Sequence, residues 1–263
     1  MQFLDRCSAL ITGASAGLGA EFARQLAPYA KTLVLVARRL ESLESLRAEL
    51  QRPGLEIYLR RVDLSSSLEV DDFLLWLKES GVQINFLVNN AGLGDHGRFE
   101  NSDWERVRQM IDVNISALTH LSFSLLPMLK KQPKAAILNV SSVASFLPLP
   151  KMAVYAATKA YVSSFTEALR AELRSSGIRV THLCPGPVPT EFGAVAQRRI
   201  NPDPVPAPEI MKVSAVKVVS DALRAVERNQ PRVIPGWFVS MVMLLTAAMP
   251  LFILRLSMRQ QAR

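Results

Sequence analysis

Thr12-Gly13-Ala14-Ser15-Ala16-Gly17-Leu18-Gly19 follows the short apolar segment 7–11 and precedes a helical pattern that includes Phe22 and Leu26. The glycines of such a turn permit a tight bend and a close approach of the backbone to a pyrophosphate. The helix that follows offers free amides and a positive dipole end. A glycine-rich turn without a ligand is the alternative. Because a strand precedes the turn and a helix follows it, the context favours a dinucleotide-binding site.

Strand and helix patterns alternate along the chain after this turn. Strands are predicted at residues 32–37, 55–62, 85–88, 135–140, 179–184 and 232–235. Helical patterns cover residues 40–50, 68–77, 104–130, 154–173 and 214–226. The alternation indicates right-handed βαβ units and a parallel sheet, and neither a solenoid repeat nor a low-complexity linker divides the chain. We therefore predict an α/β fold with a single doubly wound domain over residues 1–235 and a hydrophobic helical tail over residues 236–263.

The composition is that of an ordinary globular protein, since 49% of the 263 residues are hydrophobic and 21% are charged. Lys and Arg outnumber Asp and Glu by 31 to 23, which gives a formal net charge of +8. We expect no nucleic-acid partner, because no basic run is interleaved with aromatic residues. The arginines cluster instead at Arg38-Arg39, Arg60-Arg61, Arg198-Arg199 and in the tail. These clusters suit phosphate groups and an anionic membrane surface.

The two cysteines, Cys7 and Cys184, lie in apolar strand-like segments, where a small buried side chain is the expected role. No disulfide framework is implied, so we expect a reducing compartment. The chain enters its first strand almost at once, without the basic region and long apolar segment of a cleaved secretory signal. We therefore expect a cytoplasmic protein, and we expect no metal site.

Tyr155-Ala156-Ala157-Thr158-Lys159 places a phenol and an ammonium group four residues apart on one face of a predicted helix. The lysine charge is expected to favour the ionised phenol and to bring its pKa from about 10 toward neutral pH. Ser142 follows a predicted buried strand, at the carboxyl edge where open α/β sheets bind ligands. One hydroxyl can hold a substrate oxygen while the other transfers a proton, which suits carbonyl and alcohol chemistry. A solvated helix face is the other interpretation of Tyr155 and Lys159.

Arg38-Arg39 follows the predicted second strand, at the point that faces the adenosine ribose in dinucleotide-binding folds. An acidic residue there would accept a hydrogen bond from a free 2′-hydroxyl, whereas an arginine pairs with a 2′-phosphate. The arginines therefore favour NADP(H), with two solvated arginines at a helix start as the alternative.

One buried asparagine and three loop segments complete the predicted cleft. Asn114 lies among apolar neighbours in the helical pattern, as either a satisfied buried amide or a functional kink. Residues 191–212 are punctuated by prolines and weakly periodic, which predicts a mobile loop over the ligand cleft. Residues 93–97 and 145–151 would line the substrate site, with His96 as a polar loop residue.

Jointly, these residues resemble the short-chain dehydrogenase/reductases, and the resemblance covers residues 8–235. The motifs occur in the family's order and spacing: Thr12-Gly13-x-x-x-Gly17-x-Gly19, Asp63, Asn89-Asn90-Ala91-Gly92, Asn114, Ser142, Tyr155-x-x-x-Lys159 and Pro185-Gly186. The resemblance implies a Rossmann fold and a catalytic tetrad of Asn114, Ser142, Tyr155 and Lys159. The NADP(H)-binding residues that it implies are Gly13, Ser15, Ala16, Gly17, Leu18, Gly19, Arg38, Arg39, Asp63, Leu64, Asn90, Ala91, Gly92, Tyr155, Lys159, Pro185, Gly186, Val188 and Thr190.

Some of these residues carry more specific implied roles. Asp63 would lie near the adenine, and Asn89 would support the strand beside the cofactor. Lys159 would bond the nicotinamide ribose and Thr190 would contact the carboxamide. We also expect a homo-oligomer, either a dimer or a tetramer.

The filled tetrad predicts an NADP(H)-dependent carbonyl reductase or alcohol dehydrogenase. The hydrophobic composition of the tail resembles that of reductases of long-chain acyl and steroid-like substrates, and so favours an apolar steroid-like, lipid-like or long-chain acyl substrate. The alternative within enzymes is a soluble 3-oxoacyl thioester reductase. A non-catalytic NADP(H)-sensing protein on this fold is less favoured, because it would tolerate loss of Tyr155 or Lys159.

The tail is the second unusual feature, because residues 233–254 are 22 residues without a charge. Roughly 20 apolar residues suffice to span a bilayer. The first of them belong to a predicted strand and Pro250 interrupts the rest, so we favour peripheral contact with an anionic membrane surface over a spanning helix. A tail folded over the substrate cleft explains the hydrophobicity equally well.

Overall fold

Seven strands form a central parallel sheet in the computed structural model, which describes residues 2–197 and 208–247. In chain order the strands are β1 Ser8–Thr12, β2 Thr32–Ala37, β3 Glu56–Arg61, β4 Phe86–Asn89, β5 Ala136–Val140, β6 Arg179–Leu183 and β7 Arg232–Val233. Across the sheet they lie in the order β3-β2-β1-β4-β5-β6-β7, and the pairs between them are parallel.

Helices connect the strands. They are α1 Gly17–Leu26, α2 Leu40–Leu50, α3 Ser67–Glu79, α4 Trp104–Ile111, α5 Leu118–Leu129, α6 Ala153–Glu172, α7 Glu191–Ala196, α8 Ala215–Glu227 and α9 Trp237–Ala247. A π-helical segment, Asp112–Ala117, joins α4 to α5. Short 3₁₀ turns lie at Phe99–Asn101, Val143–Phe146, Arg174–Ser176 and Glu209–Met211. The structure confirms the predicted α/β fold with a single doubly wound sheet.

The core lies on both faces of the sheet, because successive side chains of a strand point in opposite directions. Ile11 belongs to a buried cluster that includes Phe22 of α1 and Leu223 of α8. Its neighbour Leu10 belongs to a second cluster, with Phe73 of α3 and residues of α5 and α6. Because both faces of the strands are covered, successive strand residues are apolar, which explains the continuous apolar segments in the sequence.

Strand order positions the functional site. β1 lies between β2 and β4, so the connections that leave β1 and β4 diverge at the carboxyl edge of the sheet. In open α/β sheets this divergence opens a crevice in which ligands bind. The glycine-rich turn after β1 and residues 90–92 after β4 form its two sides.

Two segments differ from the sequence prediction. The helical pattern over residues 104–130 is interrupted by the π-helical segment, where the chain widens around Asn114. Residues 191–196, predicted as a loop, form the short helix α7, whose start is capped by the Thr190 hydroxyl accepting from the Phe192 amide at 3.4 Å. Proline-rich residues 198–207, which include Arg198-Arg199, lie outside the described residues.

Helix α9 begins directly after the predicted domain boundary at residue 235, and that boundary stays a prediction. Val239 and Met243 are buried against the domain, whereas the opposite face exposes apolar side chains. In the part of the chain that the structure covers, no helix has both the length and the hydropathy to cross a bilayer. Pro250 and the tail arginines lie outside the described residues.

Candidate active site

Hydrogen bonds between the end of β1 and the residues that follow β4 join the two sides of the crevice. The Thr12 hydroxyl oxygen accepts hydrogen bonds from the amides of Asn90 and Ala91, both at 3.0 Å. The Asn90 side-chain amide donates to the Thr12 carbonyl oxygen at 2.8 Å. These bonds hold Asn90, Ala91 and Gly92 beside the glycine-rich turn.

Close backbone contact explains two of the glycines in this turn. Gly13 has φ +66°, and a Cβ there would lie 2.9 Å from the Ala91 Cα. A Cβ at Gly19 would lie 2.1 Å from the Gly13 carbonyl oxygen, which is far inside van der Waals contact. Ala16, the N-cap of α1, offers no side-chain acceptor to the first amides of the helix. A tight turn with uncapped helix amides fits a dinucleotide pyrophosphate.

The other predicted turn residues divide between the crevice and the core. Ser15 lies at the crevice, where its hydroxyl oxygen is 3.4 Å from the Arg39 Nη2. Leu18 packs against the core, as does Val188 on the opposite side of the crevice. Leu64 is buried in the second core cluster. These apolar side chains pack into the core, so any contact they make with a ligand involves their backbone or the rim of the side chain that faces the crevice.

The charged residues at the ends of β2 and β3 lie together. Burial would raise the pKa of Asp63, but hydrogen bonds from Ser65 and the nearby charges of Arg38 and Arg61 lower it on balance. Arg39 instead crosses the crevice and pairs with Glu191 of α7, with 2.9 Å between Nη2 and Oε2. The structure thus places both arginines beside the crevice, one near Asp63 and one against α7.

The segment after β6 closes the other side of the crevice. The Pro185 carbonyl oxygen accepts from the Val143 amide at 3.0 Å, which holds this segment against the turn that follows Ser142. A Cβ at Gly186 would lie 3.3 Å from the Met211 carbonyl oxygen. Thr190 lies against the glycine-rich turn, because a Cβ at Gly17 would lie 3.4 Å from the Thr190 Cβ.

Ser142 and Tyr155 meet at the carboxyl end of β5. Ser142 is the N-cap of the Val143–Phe146 turn, and its hydroxyl oxygen accepts from the Ala144 amide at 3.1 Å. Its side chain lies near enough to the Tyr155 hydroxyl to lower the pKa of that phenol. Both side chains are buried, so a solvated helix face is excluded for Tyr155. Two adjacent hydroxyls of this kind can bond a single carbonyl oxygen.

Lys159 is buried one helical turn beyond Tyr155. Its Nζ donates to the Val140 carbonyl oxygen at 2.9 Å and lies 5.9 Å from the centroid of the Tyr155 ring. Burial lowers the pKa of Lys159 to about 8. The expected lowering of the Tyr155 pKa is wrong for this structure. Burial raises that pKa to about 12, because the phenolate would lose its hydration, and the Ser142 hydrogen bond offsets this only in part.

Asn114 is fully buried in the π-helical segment. Its side-chain oxygen accepts from the Leu93 amide at 2.8 Å, and its amide group donates to the Leu93 carbonyl oxygen at 2.9 Å and to the Thr158 hydroxyl at 3.0 Å. A Cβ at Gly92 would lie 3.2 Å from the Lys159 Nζ and 3.4 Å from the Asn114 Oδ1. The amide is therefore satisfied and lies on the same side of Gly92 as Lys159.

A buried polar network supports the strands behind the site. The Asn89 amide donates to the Ser122 hydroxyl at 3.0 Å and to the Asn139 side-chain oxygen at 2.9 Å. Asn139 in turn donates to the Thr166 hydroxyl of α6 at 3.0 Å. The network links β4, β5 and α6, which fixes the helix that carries Tyr155 relative to the sheet.

Residues 8–200 match the family model described as short chain dehydrogenase. The chain belongs to this family. Among its relatives, a sulfoacetaldehyde reductase of Chromohalobacter salexigens is 39% identical over 190 residues, or 70% of this chain and 74% of the relative. The human very-long-chain 3-oxoacyl-CoA reductase is 31% identical over 216 residues, or 80% of this chain and 68% of the relative.

A solved short-chain dehydrogenase from Sphingobium yanoikuyae, in complex with NADPH, is similar with a TM-score of 0.81 and 31% identity. The similarity covers 98% of this chain and 96% of the Sphingobium chain. A bulky-bulky ketone specific alcohol dehydrogenase from Comamonas testosteroni gives a TM-score of 0.76 and 28% identity, with 98% of this chain and 95% of its own covered. As a short-chain dehydrogenase, this chain is an oxidoreductase.

Helix α7 packs against Tyr155 in this short-chain dehydrogenase. The Phe192 ring packs on the Tyr155 ring, with 5.7 Å between centroids and an interplanar angle of 48°. A cavity of about 10 Å³ remains beside Tyr155, room for about one water molecule. Its walls are mixed, with Met110 and Met152 beside Asp95, Ser102 and Lys151.

The sequence analysis placed residues 191–212 over the cleft but missed the specific contacts of three site residues. Glu191 and Phe192 lie in a segment predicted as a loop, and Arg106 fastens the end of α7 by donating to the Val195 carbonyl oxygen at 2.5 Å. These contacts join residues far apart in the chain, so no local spacing signals them. His96, predicted as a polar loop residue, is buried, and its amide donates to the Ala196 carbonyl oxygen at 3.0 Å.

Proposed function

We propose that this short-chain dehydrogenase uses NADP(H) to interconvert an apolar ketone and its alcohol, of steroid-like, lipid-like or long-chain acyl type. The observation that carries the proposal is the buried pair of Ser142 and Tyr155 hydroxyls, which lies near the buried Lys159 ammonium and among apolar neighbours. The reaction needs two donors at one carbonyl oxygen, and this pair supplies them.

Each polar residue has a separate role in the proposed reaction. Ser142 and Tyr155 bond the carbonyl oxygen, and Tyr155 donates the proton as the oxygen gains charge. The positive charge of Lys159 stabilises the phenolate that Tyr155 leaves. Asn114 holds Leu93 and hence the loop beside the substrate. The nicotinamide cofactor, when bound, supplies or accepts the hydride.

The preference for NADP(H) rests on the charge at the end of β2. Arg38 and Arg39 both lie there, and an acidic residue that would bond a free 2′-hydroxyl is absent from that position. The Sphingobium relative in complex with NADPH supports the same assignment. We propose that the glycine-rich turn binds the pyrophosphate, with Asp63 near the adenine and Thr190 near the carboxamide.

The proposal of an apolar substrate rests on the side chains around Tyr155. Met110, Ala144 and Ala156 form a buried cluster with it, and Leu93, Leu149, Met152 and Val154 pack against that cluster. Phe192 completes the wall. A small anionic substrate would need a cationic group here: Lys151 lines the cavity beside Tyr155, and the Arg106 guanidinium pairs with Asp95 at 3.1 Å, so the sulfoacetaldehyde arm of the panel below tests this alternative. The ketone-specific dehydrogenase from Comamonas testosteroni favours the same substrate class.

Reduction of 3-oxoacyl thioesters is the second candidate, since the human relative is a very-long-chain 3-oxoacyl-CoA reductase. A single panel separates the candidates: a bulky aryl or steroid ketone, short and long 3-oxoacyl thioesters, and sulfoacetaldehyde, each assayed by NADPH consumption. We expect the highest kcat/KM with the bulky ketones or the long-chain thioester. Highest kcat/KM with sulfoacetaldehyde would overturn the apolar assignment, and no turnover of any carbonyl would favour a sensing protein.

We also propose that the tail contacts an anionic membrane surface, because α9 exposes Trp237, Leu244 and Leu245. Cover of the substrate cleft is the alternative. It is favoured by a cavity of about 200 Å³ that α9 shares with Phe146, a residue of the segment expected to line the site. Homo-oligomerisation is proposed on the exposed aromatic group of Phe123 and Tyr161. A cytoplasmic location is proposed on the two free cysteines.

A further inference from the structure

Arg39, Ser15 and Glu191 form a bridge across the mouth of the crevice. Arg39 follows β2 on one side and Glu191 begins α7 on the other, with 2.9 Å between the guanidinium Nη2 and the carboxylate Oε2. The same Nη2 lies 3.4 Å from the Ser15 hydroxyl oxygen in the glycine-rich turn between them. Thr190, the residue before Glu191, rests on Gly17 of that turn. The bridge therefore spans the place where a dinucleotide would bind.

The helix that this bridge anchors also packs on Tyr155. The ring of Phe192, the residue after Glu191, lies against the Tyr155 ring, with 5.7 Å between centroids. The other end of α7 is held by Arg106 and by the His96 amide. Because α7 is only six residues long, freeing its first turn also frees Phe192.

Two anions compete for one guanidinium at this bridge. Arg39 is one of the two arginines at the end of β2, where an adenosine 2′-phosphate is recognised, so its pairing with Glu191 opposes that recognition. A 2′-phosphate carries more charge than a carboxylate and accepts two hydrogen bonds from one guanidinium. NAD(H) lacks this phosphate and leaves the ion pair intact.

We propose that Glu191 is a cofactor-specificity residue, which pairs with Arg39 until a 2′-phosphate takes the guanidinium and so releases α7 from Tyr155. The inference rests on the proposed use of NADP(H). Binding of the 2′-phosphate by Arg39 then both selects the cofactor and opens the substrate site. NADP(H) then binds before the ketone, while a dinucleotide without the 2′-phosphate leaves Phe192 over Tyr155.

The test uses the full chain and two nucleotide probes that need no turnover, 2′,5′-ADP and 5′-AMP. Their Kd values are measured by calorimetry for the wild type, Glu191→Gln and the control Glu172→Gln. Glu172 is an exposed carboxylate at the far end of α6, away from the crevice. Hydrogen–deuterium exchange of residues 190–197, with each probe, reports the state of α7.

We expect Glu191→Gln to bind 2′,5′-ADP about threefold more tightly, the size expected of an exposed ion pair, and to bind 5′-AMP unchanged. The gain should shrink at high salt. In the wild type and the control, 2′,5′-ADP but not 5′-AMP should speed exchange in α7. In Glu191→Gln, exchange should be fast without any probe.

Unchanged Kd values in Glu191→Gln, with a wild type that still prefers 2′,5′-ADP, would overturn the inference and leave the NADP(H) assignment standing. A wild type that binds both probes equally would overturn the NADP(H) assignment itself, and the inference with it. Tighter binding without faster exchange would support the competition for Arg39 and overturn the release of α7.

Discussion

The Lys159 ammonium donates a hydrogen bond to the carbonyl oxygen of Val140, at 2.9 Å, at the end of the strand that leads to Ser142. The charge is buried and lies 5.9 Å from the centroid of the Tyr155 ring. Burial favours the neutral amine, so the charge that should assist the phenol is held only weakly at alkaline pH. The pKa of Lys159 therefore sets a limit on the pH range of activity.

The rate of ketone reduction should fall as pH rises through about 8, the lowered pKa of Lys159. Lys159 is charged below that pH and neutral above it, whereas the pKa of Tyr155, raised to about 12, keeps the phenol protonated across the range. A kcat profile over pH checks this. Arginine keeps its charge across this range, so the residual kcat of Lys159→Arg should not fall above about pH 8. Wild-type activity sustained to pH 10 would contradict it.

Tyr155→Phe should leave NADPH binding nearly unchanged and lower kcat by about 10²- to 10⁴-fold, the usual contribution of a positioned proton donor. The ring that packs on Phe192 is kept, and only the hydroxyl beside Ser142 is lost. Tyr161→Phe is the matched control, because it removes a hydroxyl from the exposed side of the same helix. Near wild-type turnover in Tyr155→Phe would refute the proton-transfer role.

Arg38→Asp should reverse the cofactor preference. Charge-assisted hydrogen bonds to a 2′-phosphate contribute about 1.5–3 kcal/mol, or roughly tenfold to a hundredfold in affinity. The aspartate would repel the phosphate and accept from a 2′-hydroxyl instead. The ratio of kcat/KM for NADPH and NADH measures the change. Equal kcat/KM values for NADPH and NADH in the wild type would count against recognition of the 2′-phosphate by this side chain.

Gly19→Ala should destabilise the fold, because its Cβ would lie 2.1 Å from the Gly13 carbonyl oxygen. The Gly13 backbone and the hydrogen-bonded Asn90 amide leave little room to relax, so a cost of about 1–3 kcal/mol or more is expected. Gly193→Ala is the control, since it is also helical and its Cβ would meet nothing within 4 Å. Chemical denaturation of both variants compares the free energies of unfolding. Equal stability would mean that the turn is not tightly packed.

Local pattern predicted the parts of the fold that local physics determines. The apolar strands and the glycine-rich turn were readable because burial on both sheet faces and close backbone approach restrict residue type at each position. The spacing of Tyr155 and Lys159 likewise fixed a shared helix face. Asn114 stood out in an apolar helix, and the structure supplies its three hydrogen bonds.

The remaining features depend on tertiary contacts. The pKa of Tyr155 was expected to fall because the Lys159 charge was weighed without burial, and burial is the larger effect. Helix α7 was missed because six residues carry too little periodicity, and it is held by Arg39 and Arg106 from other parts of the chain. Sequence spacing contains no information about such pairs.

Helix α9 divides the predicted tail into a packed face and an exposed one. Val239 and Met243 are buried, whereas Leu244 and Leu245 are 72% and 62% exposed. Trp237, 79% exposed, begins the same helix. Apolar side chains of this size in water favour a membrane interface, where a helix lies flat and buries only one face. The membrane contact that we propose would therefore involve this exposed face.

Leu244→Glu should weaken binding of the full chain to anionic liposomes, because it places a negative charge within the apolar face. Leu68→Glu is the matched control, since Leu68 is 74% exposed on α3 and lies outside the tail. Flotation should recover the wild type and the Leu68 variant with the liposomes, and a chain ending at Gly236 should not float. If the wild type stays in solution and the shortened chain loses only ketone reduction, the tail covers the substrate cleft instead. The apolar residues of α9 would then serve a lipid-like substrate rather than a bilayer.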